Sequence, residues 1–351
     1  MTSKEQYAAF CSHQPEMPVM FQSWWLEAVC AGKEWDVMLF KRSDISDKPS
    51  KNGSMDDEIV AVMPYLIRKR LWYRFILMPQ MTQFGGVWLN SELHASPDLQ
   101  EKLATLISKR LRAMHLAYYQ QQFPVGNPMP YWLGKQRMKV EERVTYRIDD
   151  LGNIDEVEGA FSKNKQRQLH KAGELTVDYD MSAEEFFRFH TQCMKERGHK
   201  LTYSREFLLV LERKARRHEQ VAIIRISGQL PTEDGQQNGQ QPAEMGKQKR
   251  HQTLAAGLVV WDNRYLYYLI PAYLPSAAKS GASARLADEA IRLAQEKGLQ
   301  FDFEGGNDEG IANHYRQFGS KTATYSSVSR LYRPSFALLL ALQKLKEKYY
   351  R

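Results

Sequence analysis

Apolar residues recur along this chain with two different periods, and the switching between them lays out most of its elements. Leu99, Leu103, Leu106, Ile107, Leu111 and Met114 fall three or four positions apart, which predicts an amphipathic helix over Leu99–Leu116. The same spacing predicts a helix from about Gly281 to Lys297. Ala287, Ala290, Ile291 and Ala294 form its apolar face, Asp288, Glu289, Arg292 and Gln295 lie opposite, and Gly298 stops it. Shorter helices are expected at Ser23–Val29, at Arg205–Arg217, and in a Phe-rich segment that opens on the Ser182-x-x-Glu185 capping box and runs to Arg197. Strand-like runs cover Trp35–Phe40, Ile59–Leu66, Trp72–Met78, Ala117–Phe123, the alternating Val140–Ile148, and Val221–Ile226. Thr253–Trp261 and Tyr265–Ile270 read as a hairpin around Asp262-Asn263.

Laid side by side, the two halves follow one order of helix, antiparallel strands, helix, strand, without a visible sequence repeat. A duplicated fold with diverged sequence accounts for that. With 351 residues the chain exceeds the usual single domain. We expect a lobe over residues 1–150, a second over 151–334, and an amphipathic helix over 335–351. A polar loop is expected from Lys41 to Glu58, and the Pro/Gly-rich passage Pro124–Gly134 reads as irregular. The Gln/Gly-rich stretch 227–252 has almost no aliphatic residues to offset its ordering entropy, so it reads as a mobile insertion.

Hydrophobic residues make up 43% of the chain, enough for a sizeable core, and no apolar run approaches a membrane span. The N-terminus is polar and lacks the apolar centre of a signal peptide, so a cytoplasmic protein without stable membrane insertion is expected. Cys11, Cys30 and Cys193 are scattered, without metal-ligand spacing, and read as ordinary thiols; no metal is expected. The net charge of +8 favours anionic partners. Nucleotide-binding and hydrolase signatures are absent: there is no Walker loop, dinucleotide fingerprint, zinc-protease helix or Gly-x-Ser-x-Gly elbow.

Chemistry-bearing residues concentrate between Arg264 and Gly319. After the strand at Tyr265 and the helix at Gly281 comes Leu299-Gln-Phe-Asp-Phe-Glu-Gly-Gly306, a short apolar strand ending in an acid and two glycines, and then Ile311-Ala-Asn-His-Tyr-Arg-Gln-Phe-Gly319. Strand, helix, strand at this spacing implies parallel pairing. Glu304 stands at the C-terminal end of the second strand, where open sheets place their ligand crevice. It reads either as a base with a raised pKa or as a salt-bridge or capping residue. Tyr315 reads either as a site residue or as an aromatic packed on the sheet. Neighbouring helix positions point about 100° apart, so only one of His314 and Tyr315 is expected to face a pocket. Lys163, Lys165, Arg167, His170 and Lys171 form a basic helix that is a solvated face, an anchor for a phosphorylated acceptor or donor, or a tRNA contact. The aromatics of Tyr265–Tyr268 either stack on a ligand or fill the core.

The segment Lys279-Ser-Gly-Ala-Ser-Ala284, followed by the second strand and by Tyr315-x-x-x-Gly319, resembles the GNAT acyltransferases. Their pyrophosphate loop carries a leading Gln or Arg that this segment lacks, and Ser320 stands where the family has a final aromatic. Phe161-Ser-Lys-Asn-Lys-Gln-Arg-Gln-Leu-His-Lys-Ala-Gly173 with Thr176-Val-Asp-Tyr179 resembles the Fem-type peptidyltransferases and their tandem GNAT relatives. Phe21-Gln-Ser-Trp-Trp-Leu-Glu-Ala-Val29 and Met63-Pro-Tyr65 are similar to openings of the same group. The resemblance implies an α+β fold of two tandem GNAT-like lobes, each a mixed, mostly antiparallel sheet flanked by helices. It implies an acyl group passing from acetyl-CoA or another acyl-CoA to an amine acceptor bound between the lobes, by direct attack without a covalent enzyme intermediate. Lys279, Ser280, Gly281, Ala282 and Ser283 would hold the pyrophosphate through backbone N–H groups. The edge of the Tyr265–Ile270 strand would hydrogen-bond the pantetheine arm, Glu304 would serve as base, Tyr315 would protonate the departing sulfur, and Lys165, Arg167 and Tyr268 would contact substrate. Two alternatives stand beside this. One is a Fem-type transfer from aminoacyl-tRNA to a cell-wall precursor, and the other is a binding module without turnover.

Overall fold

The computed structural model describes residues 1–46, 57–229, 252–306, 308–339 and 341. Most of the stretch expected as a mobile insertion, and the end of the expected C-terminal helix, lie outside the described residues. Ser227 and Gly228 end one strand and Gln252 begins the next, so ordered pairing reaches further into that stretch than composition suggested. The chain divides into two compact units, one of residues 1–145 with 322–351 and one of residues 146–321.

The first unit begins with α1 (Ser3–Ser12), capped reciprocally by Thr2 and Glu5, then α2 (Ser23–Val29), β1 (Trp35–Lys41) and the short α3 (Arg42–Ile45). After β2 (Ile59–Arg70), β3 (Tyr73–Leu77) and β4 (Trp88–Leu89) come α4 (Ser91–Ala95), α5 (Pro97–Ala113), β5 (Tyr118–Phe123), α6 (Met129–Lys135) and β6 (Lys139–Ile148), whose last three residues belong to the second unit. The helix expected at Leu99–Leu116 starts two residues earlier, because Pro97 is preorganised for a first helical position, and Asp98 and Arg112 complement the two ends of its dipole. Its face of Leu103, Ile107 and Leu111 is fully buried, each side chain contributing about 1.5–3 kcal/mol relative to exposure. α6 begins inside the passage read as irregular and ends one residue beyond it: Pro128 and Pro130 sit at its start, where their missing N–H groups cost nothing.

The second unit continues with α7 (Ile154–Gly159), α8 (Lys163–Lys171), β7 (Thr176–Asp178), α9 (Ala183–Glu196), α10 (Arg205–Arg217), β8 (Val221–Gly228), β9 (Gln252–Trp261) and β10 (Tyr265–Tyr273). It closes with α11 (Ala282–Glu296), β11 (Gln300–Asp302) and α12 (Glu309–Arg316). A last strand, β12 (Lys321–Leu331), pairs antiparallel with β5, so residues 322–334, expected in the second lobe, lie with the first unit. The pattern concealed this strand because Ser327 and Ser329 fill buried positions where period-two reading looks for aliphatic side chains.

Both units build the same motif. In the first, β1, β2 and β3 pair antiparallel and β5, reached through α5, pairs parallel to β3. In the second, β8, β9 and β10 pair antiparallel and β11, reached through α11, pairs parallel to β10. A crossover helix is what parallel neighbours require. The architecture is a mixed, mostly antiparallel α+β fold in tandem.

One face of α11 differs from the expectation. Asp288, assigned to its polar side, is 1% exposed, with Oδ2 held by Arg285 and Arg292. β11 is fixed from its other side by β6, where Arg147 lies opposite Asp302. Asp302 is fully buried and accepts a hydrogen bond from Arg147 Nε at 2.7 Å, while the guanidinium lies 4.3 Å from the Tyr265 ring centre. Removing one member of a buried pair strands the other charge, so Asp302→Ala is expected to lose about 3–5 kcal/mol in denaturant titration at neutral pH.

Candidate active site

β10 has neighbours on both sides only at its start. Tyr265, Leu266 and Tyr267 face Gln300, Phe301 and Asp302 of β11, and there the parallel ladder ends. On its other side the ladder with β9 continues to Tyr273, with a bulge between Tyr267 and Ile270. From Tyr268 onward one edge of β10 therefore has no strand partner among the described residues. β11 cannot follow, because after Phe303 the backbone turns through positive φ at Glu304, Gly305 and Gly306. The Asp302 carboxylate holds this turn by accepting the Glu304 N–H at 2.8 Å. Gly306 is required as well: at φ +117 a Cβ there would stand 2.6 Å from the Tyr146 ring.

A cavity of about 470 Å³ lies beside the unpaired edge, bordered by Tyr268, Pro271 and Tyr273 of β10, by Ser283, and by Asp308, His314 and Tyr315. α12 is started by Asp308, whose Oδ1 accepts the Ile311 N–H at 3.1 Å. Both His314 and Tyr315 border the cavity, contrary to the expectation that helix geometry would admit only one. The cavity runs along the helix flank, so positions 100° apart still both reach it.

Tyr315 stacks on Phe303, with ring centres 4.3 Å apart, and its hydroxyl has no hydrogen-bond partner among the described residues. Burial, then the charges of Glu304 and Asp302, push its pKa up to about 12. Glu304 does not border the cavity, yet it is close enough to Tyr315 for that effect. Its Oε1 atom is buried without a partner, and burial followed by the Asp302 charge raises its pKa well above the usual carboxylate range.

Lys165 is 1% exposed, which overturns the solvated-face reading for this position of the basic helix. Ser162 caps α8 by accepting the Lys165 N–H, which turns Lys165 inward, and its Nζ donates to Gln168 Oε1 at 3.0 Å. Nζ also lies 3.2 Å from His314 Nδ1 and 4.6 Å from the Phe318 ring centre. Burial lowers the Lys165 pKa to about 8, and burial with the Lys165 charge lowers that of His314 to about 4. Arg167 is exposed and its Nε bonds the Lys163 carbonyl of its own helix, away from the cavity.

Of the five residues expected to hold a pyrophosphate, only Ser283 reaches the cavity. Ser280, Gly281 and Ala282 are buried, and Lys279 is exposed outside it. The Ala282 N–H is engaged by Ser280 Oγ, and a Cβ on Gly281 would stand 2.3 Å from the Gln168 carbonyl, so the start of α11 is packed against α8. Arg197, which carried no signal in the pattern, borders the cavity at the end of α9; its guanidinium lies 4.3 Å from the Tyr273 ring and donates to the Tyr273 carbonyl. A second cavity of about 420 Å³, bordered by Asp149, Asp150, Glu156 and Lys321, contains none of the expected residues.

No family model matches the sequence, and no curated protein is significantly similar to it. Solved structures do resemble it. The crystal structure of FemX superposes with a TM-score of 0.65 at 13% identity, over 93% of this chain and 96% of that one. A conserved protein of unknown function from Bacteroides thetaiotaomicron superposes at 0.53 and 10% identity, over 93% and 97%. The C-terminal domain of a putative lysylphosphatidylglycerol synthetase from Agrobacterium fabrum gives 0.53 and 10%, over 93% and 91%. At such identities the likeness is one of fold.

Because the Glu304 pKa is raised on folding, its contribution to stability is full below the unfolded carboxyl pKa and is lost as pH rises through the higher folded value. Glu304→Gln is accordingly expected to raise the melting temperature at pH 7–8, with the gain vanishing toward pH 4. Thermal denaturation across that range checks the sign.

Proposed function

With a Fem-like fold of the GNAT superfamily as the premise, we propose that the second unit transfers an acyl group from a thioester donor, acetyl-CoA or a longer acyl-CoA, to an amine. The observation that carries this reading is the unpaired edge of β10 beyond Tyr267 together with the cavity beside it. An extended pantetheine arm has amide groups that pair with such an edge as an added strand would. Its thioester then reaches Tyr268 and Tyr315.

Amide formation needs the acceptor nitrogen free of its extra proton and a stabilised leaving group. Glu304, with its raised pKa and unpartnered Oε1, is suited to take the proton of the arriving ammonium through a water. The Tyr315 hydroxyl, near pKa 12, is suited to donate a hydrogen bond to charge developing on the sulfur or the carbonyl oxygen. Attack is direct, in a ternary complex. The exposed Lys279 and the Arg197 beside Tyr273 supply positive charge for the donor's phosphates, a task for which the packed start of α11 leaves few free N–H groups.

That packed helix start also favours a second reading, transfer from an aminoacyl carrier that presents no pyrophosphate there. Two of the superposed structures bear the names FemX and lysylphosphatidylglycerol synthetase, which is compatible with it. The acceptor would then be a peptide or lipid headgroup amine or hydroxyl.

Calorimetry with acetyl-CoA and longer acyl-CoAs is expected to show saturable binding, and its absence with every chain length would sink the primary reading. Charged-tRNA transfer assays decide the second. Under the first, Glu304→Gln is expected to lower kcat by roughly 10²-fold and Tyr315→Phe by at least ~10-fold, with donor affinity unchanged in both.

A further inference from the structure

We infer that Lys165 and His314 form a proton shuttle for the leaving group of the transfer proposed above, with His314 meeting the substrate and Lys165 acting through it. The inference rests on that reading, and it starts from an unusual contact. A lysine only 1% exposed is ordinarily paired with a carboxylate, yet no Asp or Glu lies within ion-pair distance of Lys165 among the described residues. Its Nζ meets two acceptors, Gln168 Oε1 at 3.0 Å and His314 Nδ1 at 3.2 Å, and the Phe318 ring.

An ammonium has hydrogens and no lone pair, so toward a charged Lys165 the Nδ1 atom of His314 can only accept. The imidazole proton is thereby fixed on Nε2. His314 borders the cavity, and its Nε2 has no hydrogen-bond partner among the described residues. The ring therefore presents a donor to the cavity and an ammonium behind it. The other ionisable groups around the cavity are Arg197 at the end of α9, Asp308 at the start of α12, and the phenols of Tyr268, Tyr273 and Tyr315.

The proton balance closes without an added reagent. The neutral amine attacks the thioester carbonyl carbon, the C–N bond forms and the C–S bond breaks. The departing thiolate takes the proton from His314 Nε2 while Nδ1 takes one from Lys165, leaving a neutral lysine. The bare Nε2 then accepts the surplus proton of the new C–N nitrogen, and the Nδ1 proton returns to Lys165. An alkyl thiol titrates near ~8.5, which matches a lysine near pKa 8, whereas a phenol near 12 is a roughly ten-thousandfold weaker acid than that lysine.

The test uses two donors on the full chain: a CoA thioester, and the same acyl group on 4-nitrothiophenol, whose thiolate leaves without a proton. His314→Gln, Lys165→Met and Lys165→Arg are each expected to lose at least ~10²-fold in kcat with the CoA thioester and no more than about threefold with the nitrothiophenyl ester. Lys165→Arg keeps charge and hydrogen bond but yields no proton, so its loss separates proton supply from positioning. Equal losses with both donors would reduce the pair to packing and overturn the shuttle. Wild-type turnover with undiminished variants overturns the shuttle alone, while a wild-type chain that turns over neither thioester defeats the functional reading. Independently of turnover, nitrogen NMR of the wild-type imidazole is expected to show the Nε2–H tautomer at pH 6–7.5, and Lys165→Met a mixture. A wild-type Nδ1–H tautomer overturns the proposal.

Discussion

The carboxylate of Asp302 is the constraint on which the second unit's site depends. Fully buried at the end of β11, it binds Arg147 across the strand pair through one oxygen and takes the Glu304 N–H through the other. The first bond anchors a three-residue strand that has little ladder of its own. The second forces the backbone into the left-handed turn that carries the chain away from β10. The parting of β10 and β11, and so the cavity, follows from the two bonds together. The same carboxylate helps to hold Glu304 and Tyr315 in their less acidic states, so one buried charge sets both the shape and the electrostatics around α12.

Ionisable groups without a counter-charge stand around α12. Lys165 and His314 face each other with no carboxylate between them, and the Glu304 Oε1 is buried without a partner. Each arrangement opposes stability, since a desolvated charge or orphaned acceptor costs free energy that a paired one does not. Of the other buried charges of this unit, Arg147 pairs with Asp302, and Asp288 is held by two arginines through Oδ2 while its Oδ1 has no partner among the described residues. Unmatched ionisable groups beside a cavity are candidates for chemistry.

The two units show how little sequence a shared topology needs. Three antiparallel strands, a helix and a parallel strand recur in both, although no repeat is visible in the residues. Alternating burial in strands and a stripe on the crossover helix suffice to specify the motif, and many side chains satisfy both.

By itself the sequence determined the elements whose burial is one-sided. α2 and α10 fall at the residues the pattern predicts, and the ends of β1, β5 and α11 shift by one residue, because a stripe or an alternation is a local signal. The parallel β10–β11 pair was legible in the same way, whereas Tyr315, which borders the cavity, was singled out by the resemblance of its spacing to Gly319. Tertiary structure alone decided the rest. β12 carries serines in a buried strand and joins the unit from which it is distant in sequence. Asp288 reads as surface and is buried by Arg285, Arg292 and the packing of α11. Gly281 and Ser280, legible as an anion loop, are turned into α8. Lys165 looks like one of five solvated cations until the Ser162 cap sets the helix phase that aims it at His314, 149 residues away. A pattern records which side of an element avoids water; which polar groups that side encloses depends on what packs against it.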